Sequence, residues 1–281
     1  MAQHLKSPKA SRPDSHPTAR ELRWFAHIDR HGPQSSEFLY ELTRDTHRCR
    51  DTSLRRLRAL REAGYLRLPP QQRQIAKADF NPYVYDLTPL GWDVLSCEKD
   101  LERYCRPTGH WWHVYWVSTL TSAIEIQGTR AGLEYIPAAS ILALKNAPLA
   151  IPVDSYKLIP DQLFAIKYPD GYRAFAVEVD RGTEPVRSAS ARKSLLASLE
   201  QYREIKAQRL HSKHYGLKSP LFVLWLFAAE TRRKAFVTLL GPEHPATFTS
   251  VTSNLVPKWD DMMNISKASW SGAEDGRFFI V

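Results

Sequence analysis

The chain has 281 residues, 43% of them hydrophobic, enough for ordinary cores and for one to three domains. Its formal net charge is +9, from 39 Lys/Arg against 30 Asp/Glu, which points to an anionic partner, nucleic acid first of all. Three cysteines, Cys49, Cys97 and Cys105, argue against a disulfide framework and for a reducing, cytoplasmic setting; there is no signal-peptide core, and no apolar run reaches the roughly 18 residues of a membrane span.

Residues 1–17 hold almost nothing to bury and read as a disordered basic tail. Helical periodicity starts at Thr18, with Leu22, Phe25 and Ile28 on one face, and stops at His31-Gly32-Pro33. Ser35/Ser36 open a second short helix. A third is expected with Asp51 as its cap, Leu54, Leu57 and Leu60 as its buried face and Gly64 as its left-handed stop. Tyr65–Leu68 and Tyr83–Leu87 alternate as two strands joined by a polar loop. Thr88-Pro89 caps a further helix running toward Tyr104.

Charge is clustered along this stretch. Residues 44–77 carry ten Lys/Arg against three Asp/Glu, and residues 187–218 carry eight against two. Three helices and a two-stranded wing are the order of a winged helix-turn-helix, and the string Leu54–Leu66 resembles the third helix and first wing strand of many bacterial winged-helix proteins. The resemblance covers about residues 18–95 and implies a DNA-binding domain over 18–105. In it Thr52, Ser53, Arg55 and Arg56 meet base edges of double-stranded DNA, while Arg67, Arg73 and Lys77 on the wing hold phosphates. The plain alternative is a solvated helix face, or a winged helix used for dimerisation or protein docking.

Arg106–Gly109 breaks the pattern and marks a domain boundary, with the second domain expected over 110–281. A helix is expected from about His113 to Gly128. Strands are expected at Ile136–Leu144, Tyr156–Tyr168 and Tyr172–Asp180, a long helix at Pro185–His211, and a buried strand at Leu221–Ala228.

The most specific chemistry lies at Ile159–Ile166 and Ala174–Asp180. Tyr168-Pro-Asp-Gly-Tyr172 is a tight-turn sequence, so the two strands should form an antiparallel hairpin. With Pro169 and Asp170 at the turn, Tyr168 pairs with Gly171 and Asp161 falls opposite Glu178. Alternation puts Glu178 and Asp180 on one face and Phe175, Val177 and Val179 on the other. Three carboxylates on apolar strands are costly without a cation, and hard oxygen donors suit Mg²⁺ or Mn²⁺ at a phosphodiester. The competing reading is a strand end neutralised by Arg181, Arg187 and Arg192.

Pro160-Asp161, a hairpin, then Glu178-Val179-Asp180 resembles the PD-(D/E)XK nuclease superfamily, whose members carry Asp and then Asp/Glu-x-Lys on adjacent strands of an αβββαβ core. The resemblance implies an α+β chain: a winged helix-turn-helix followed by an α/β restriction-endonuclease-like domain with a C-terminal extension. It implies a metal-dependent site of Asp161, Glu178 and Asp180. Asp180 stands where lysine is usual, so Lys193 is the expected catalytic lysine, with Lys157 a second candidate and Glu125 a further carboxylate. The wider pattern is similar to plasmid replication-relaxation proteins: His113, Pro160-Asp161, Glu178-Val-Asp-Arg-Gly-Thr-Glu184, Lys193 and Tyr202, over roughly residues 18–230. That resemblance implies mobile-element DNA processing, with DNA and other replication, mobilisation or defence proteins as partners and a homodimer as one assembly. A non-catalytic DNA-binding accessory factor and a ligand-sensing regulator are the alternatives.

Overall fold

The computed structural model describes residues 16–73, 83–99, 109–188, 194–252, 254, 256–273 and 276–281. The chain divides near residue 103 into two compact units, and Arg30–Gly32 group with the second.

In the first unit, α1 (Ala19–His31) follows Thr18, which is tied to Glu21 in the first turn. The Thr18 backbone N–H donates to Glu21 Oε2 at 2.7 Å, and the Thr18 hydroxyl donates to the same oxygen. β1 (Gln34–Ser35), α2 (Ser36–Leu42), a single 3₁₀ turn and α3 (Arg50–Glu62) follow. Trp24, Phe25, Ile28, Leu39, Leu57 and Leu60 form the core. α3 starts earlier than expected: Cys49 is the residue before it and Asp51 lies in its first turn, where a carboxylate suits the helix dipole. Its buried stripe is Ser53, Leu57 and Leu60, with Leu54 only half-buried. Gly64, at φ +89°, ends it as expected, and the Tyr65 N–H returns to the Leu60 carbonyl. β2 (Leu66–Arg67) and β3 (Val84–Leu87) pair antiparallel, and β1 joins them in a sheet ordered β1-β3-β2. α4 (Pro89–Lys99) opens as expected, with Thr88 Oγ1 accepting the Gly91 N–H at 3.1 Å.

The second unit begins with α5 (Trp111–Arg130) and β4 (Glu134–Pro137). α6 (Ala138–Ala143) replaces the strand expected over 136–144, because Pro137 precedes a run of good helix formers. β5 (Ile151–Val153) and β6 (Tyr156–Leu158) form their own hairpin. Ile159-Pro160 separates β6 from β7 (Gln162–Tyr168), so the strand expected over 156–168 is two strands in two sheets. β8 (Gly171–Asp180) follows the tight turn. The helix expected over 185–211 is shorter. α7 (Leu195–Ala207) starts at Ser194, whose Oγ accepts the Ala197 N–H at 3.2 Å, and left-handed Arg209 (φ 53°) separates it from α8 (Leu210–Tyr215). β9 (Leu221–Phe227), α9 (Glu230–Val237), β10 (Thr247–Val251), α10 (Trp259–Lys267), β11 (Trp270–Ser271) and β12 (Arg277–Phe278) complete the unit.

One mixed sheet runs β12-β11-β10-β9-β8-β7-β4. β4, β7 and β8 are mutually antiparallel, while β8, β9 and β10 are parallel. The chain is therefore α+β. On one face Phe164 stacks on Phe175 with ring centroids 4.9 Å apart. On the other, Ala165, Ala174 and Ala176 leave room for Leu195, Leu199 and Tyr202 of α7. Among the described residues, no helix is long and apolar enough to cross a membrane.

Candidate functional site

The β7–β8 hairpin has the register its turn dictates: Tyr168 pairs with Gly171 and Gln162 with Val177. One step further, the Asp161 N–H donates to the Val177 carbonyl at 3.0 Å, which places Asp161 beside Glu178. Glu178 and Asp180 continue the face of Ala174 and Ala176, and both are buried.

Each carboxylate is engaged by a different element. Asp161 Oδ2 accepts the Val179 N–H at 2.8 Å, and Asp161 Oδ1 lies 2.9 Å from Nε2 of His113 in the first turn of α5. Glu178 Oε1 accepts the Tyr202 hydroxyl from α7 at 2.6 Å. Burial first, and then the charge of Glu178, push the Tyr202 hydroxyl well above its ordinary range, so it stays protonated and donating. Asp161 adds to the same shift.

Asp180 stands apart from this pair. Arg232 on α9 grips both of its oxygens, Nε to Oδ2 at 2.6 Å and Nη2 to Oδ1 at 3.0 Å. The same guanidinium donates to the Glu184 carbonyl at 2.7 Å, and the Gly182 N–H donates to Asp180 Oδ1 at 3.0 Å. Asp180 and Arg232 together tie down the turn that follows β8.

Each of the three carboxylates expected to hold a metal meets a neighbouring side chain: Asp161 meets His113, Glu178 meets Tyr202 and Asp180 meets Arg232. Glu125 is also committed elsewhere, to Arg30 and His31. Lys193 lies outside the described residues. Sequence reasoning missed Arg232 because 52 residues separate it from Asp180, and no local pattern marks it.

The basic face of the first unit also differs from expectation. Ser53 is fully buried and faces the core, not outward. Arg56 is turned back to Glu21, Nε to Oε1 at 3.3 Å, with its side chain only 19% exposed. Thr52 is half-buried and lies 3.3 Å from the Cys49 sulfur. Arg55 is exposed, and with it Arg48 and Arg58, neither of which was expected to touch DNA. Arg58 is three residues from Arg55 and so shares its face, a signal present in the spacing. Arg67 is exposed and pairs with Asp86 at 2.8 Å. Arg73 ends a 3₁₀ turn, and Lys77 lies outside the described residues.

A comparison with curated proteins and one with solved structures gave no match. The model of the replication-relaxation family matches residues 25–221, a span that takes in α3, His113, the Asp161–Asp180 hairpin and Tyr202. With that match over more than half its length, the chain belongs to the replication-relaxation family, and its work is connected with the replication of a plasmid or mobile element.

Proposed function

We propose that the chain is a DNA-processing protein whose first unit binds duplex DNA and whose second unit attacks a phosphodiester at the Asp161–Glu178 site. The observation that carries the reading is the convergence of His113, Asp161, Glu178 and Tyr202 at one end of the β7–β8 hairpin. The order α5, β4, β7, β8, α7, β9 supports it, since an αβββαβ sheet with acidic residues at this hairpin is the framework of PD-(D/E)XK nucleases. In the first unit, three helices and a sheet ordered β1-β3-β2 support a winged helix. The outer side of α3 then offers Arg55 and Arg58, with Arg48 just ahead of it, to phosphates and guanine edges. Asp161 and Glu178 orient the groups around them. Asp161 and Glu178 are the carboxylates that would hold Mg²⁺ or Mn²⁺ at the phosphodiester, while Arg232 grips the third expected ligand, Asp180.

A second reading is a DNA-binding accessory factor without catalysis. The Asp180–Arg232 pair favours it, since it fills the place where an active nuclease carries its lysine.

Supercoiled plasmid separates the two. The protein is incubated with plasmid in EDTA, in Mg²⁺ and in Mn²⁺, while binding to a labelled duplex is followed by anisotropy. Open-circular or linear product together with salt-sensitive binding supports processing. Binding without product under all three conditions supports the accessory role. Absence of binding overturns both.

A further inference from the structure

We propose that the β5–β6 hairpin is the surface that holds a single DNA strand beside Asp161 and Glu178, with Tyr156 stacked on a base and Lys157 on a phosphate. The inference rests on the phosphodiester reading above.

The hairpin is anchored on both sides. A two-residue turn, Asp154-Ser155, closes β5 on β6, with Val153 paired to Tyr156 and Pro152 to Lys157. Asp154 takes a left-handed backbone (φ 49°), which its short polar side chain tolerates. Ile151, Val153 and Leu158 are buried in the same core as Leu199 and Tyr202 of α7. Tyr202 is also the donor to Glu178, so the hairpin and the site rest on one helix. On the other side the chain runs directly into the site. Pro160 is buried, and the Asp161 N–H is bonded to the Val177 carbonyl of β8. Lys157 is four residues from Asp161, within about 14 Å even for a fully extended stretch.

The side chains left outside suit a nucleic-acid strand. Tyr156 is 63% exposed and Ile159 52%, with exposed Lys157 between them. Among the described residues, neither Tyr156 nor Lys157 has a hydrogen-bond, ion-pair or ring partner. Tyr172, the exposed tyrosine beside the turn of the β7–β8 hairpin, differs in having the Lys167 ammonium 5.8 Å from its ring centre. The charge around the hairpin is nearly of one sign. Segments 138–159 and 209–218 hold five Lys/Arg against a single carboxylate, Asp154. The two segments are tied together: Lys145 Nζ donates to the Lys213 carbonyl at 3.1 Å, and His214 Nε2 lies 2.9 Å from the Pro148 carbonyl just ahead of β5.

An exposed ring beside a cation offers a stacking face and a phosphate contact together. In a duplex the bases cover one another's faces, whereas a single strand leaves them open to an aromatic side chain. Lysine is depleted in protein–protein interfaces, so the basic surroundings favour the strand over a protein partner.

The test is fluorescence anisotropy with a labelled single strand and a duplex of equal length, using full-length wild type, Y156A, Y156F, K157A and Y172A. Plasmid nicking and thermal melting are recorded on the same preparations. Y156A is expected to weaken single-strand binding about tenfold, while Y156F keeps the stacking ring and binds as the wild type does. K157A is expected to reduce the slope of log K against log salt by about 0.7 on the single strand. Duplex affinity in all variants, and both affinities of Y172A, are expected to stay at the wild-type value. Wild-type single-strand affinity in Y156A, an equal loss on strand and duplex, or a Y156F loss matching that of Y156A overturns the inference. A wild type that binds no single strand also overturns it and leaves the exposed side chains to a protein partner. Plasmid nicking by the wild type alongside any of these results keeps the phosphodiester reading. The expected binding pattern without nicking overturns that reading alone and keeps the hairpin as a strand-binding surface.

Discussion

Tyr202 and Glu178 form a buried donor–acceptor pair across the α7–sheet interface, hydroxyl to carboxylate at 2.6 Å. The bond explains how a carboxylate sits in a layer otherwise built from Ala174, Ala176, Leu199 and Trp225. A hydrogen bond to a charged group is worth about 1.5–3 kcal/mol, and leaving its acceptor unsatisfied costs as much or more. Tyr202→Phe should therefore lower stability by about 2 kcal/mol in urea unfolding. In an E178A background the same change should cost much less. Equal losses in both backgrounds would show that Tyr202 acts only through packing.

Arg232 satisfies both oxygens of Asp180, whose side chain is 2% exposed. Arg232→Met strands a buried carboxylate and should cost about 3–5 kcal/mol. The double variant D180N/R232M removes the stranded charge and should recover part of that loss. Urea unfolding of the single and the double variant decides the matter, and equal stabilities would contradict the pairing.

These two pairs differ in how far the sequence announced them. The hairpin was legible because Tyr168-Pro-Asp-Gly fixes the turn and the turn fixes the pairing, down to Gln162 opposite Val177. Alternation then put Glu178 and Asp180 on the α7 face. Arg232 was not legible, because the parallel β8–β9 crossover brings α9 to the end of β8 and no local spacing encodes that. The helix at Ala138–Ala143 was hidden by an apolar run with no clear period. On α3 Leu57 and Leu60 are buried as expected, but Ser53 takes the buried place expected of Leu54, and Arg56 turns back to Glu21.

Lys206 on α7 donates to the Pro245 carbonyl and to Thr247 Oγ1, the latter at 2.8 Å, on either side of left-handed Ala246 (φ 55°). Burial pushes its ammonium down to about 7 from 10.5. Between those values the unfolded chain holds a proton that the folded chain has released. Through this group, stability should therefore rise with pH across the window, and the penalty should be full below about 7. Lys206→Met should flatten that slope. Unfolding free energies at two mildly alkaline pH values, for the wild type and K206M, measure it; parallel slopes would contradict the assignment.

DNA binding is expected to run through the exposed side of α3. R55E/R58E should weaken duplex binding across all sequences. It should also reduce the slope of log K against log salt by about 0.9 for each phosphate that the variant no longer neutralises. Arg56→Ala should chiefly lower stability, because Arg56 is paired with Glu21. Anisotropy titrations at several salt concentrations distinguish these outcomes. An R56A affinity loss matching that of R55E/R58E would contradict Arg55 and Arg58 as the binding face.

The reading of the second unit rests on Asp161 standing beside Glu178 as part of a reacting site. The most direct measurement is plasmid nicking by the wild type, D161N and E178Q, with duplex affinity measured on the same preparations. The expected result is nicking by the wild type, loss of nicking in both variants and unchanged affinity. Nicking by D161N and E178Q at the wild-type rate would contradict it.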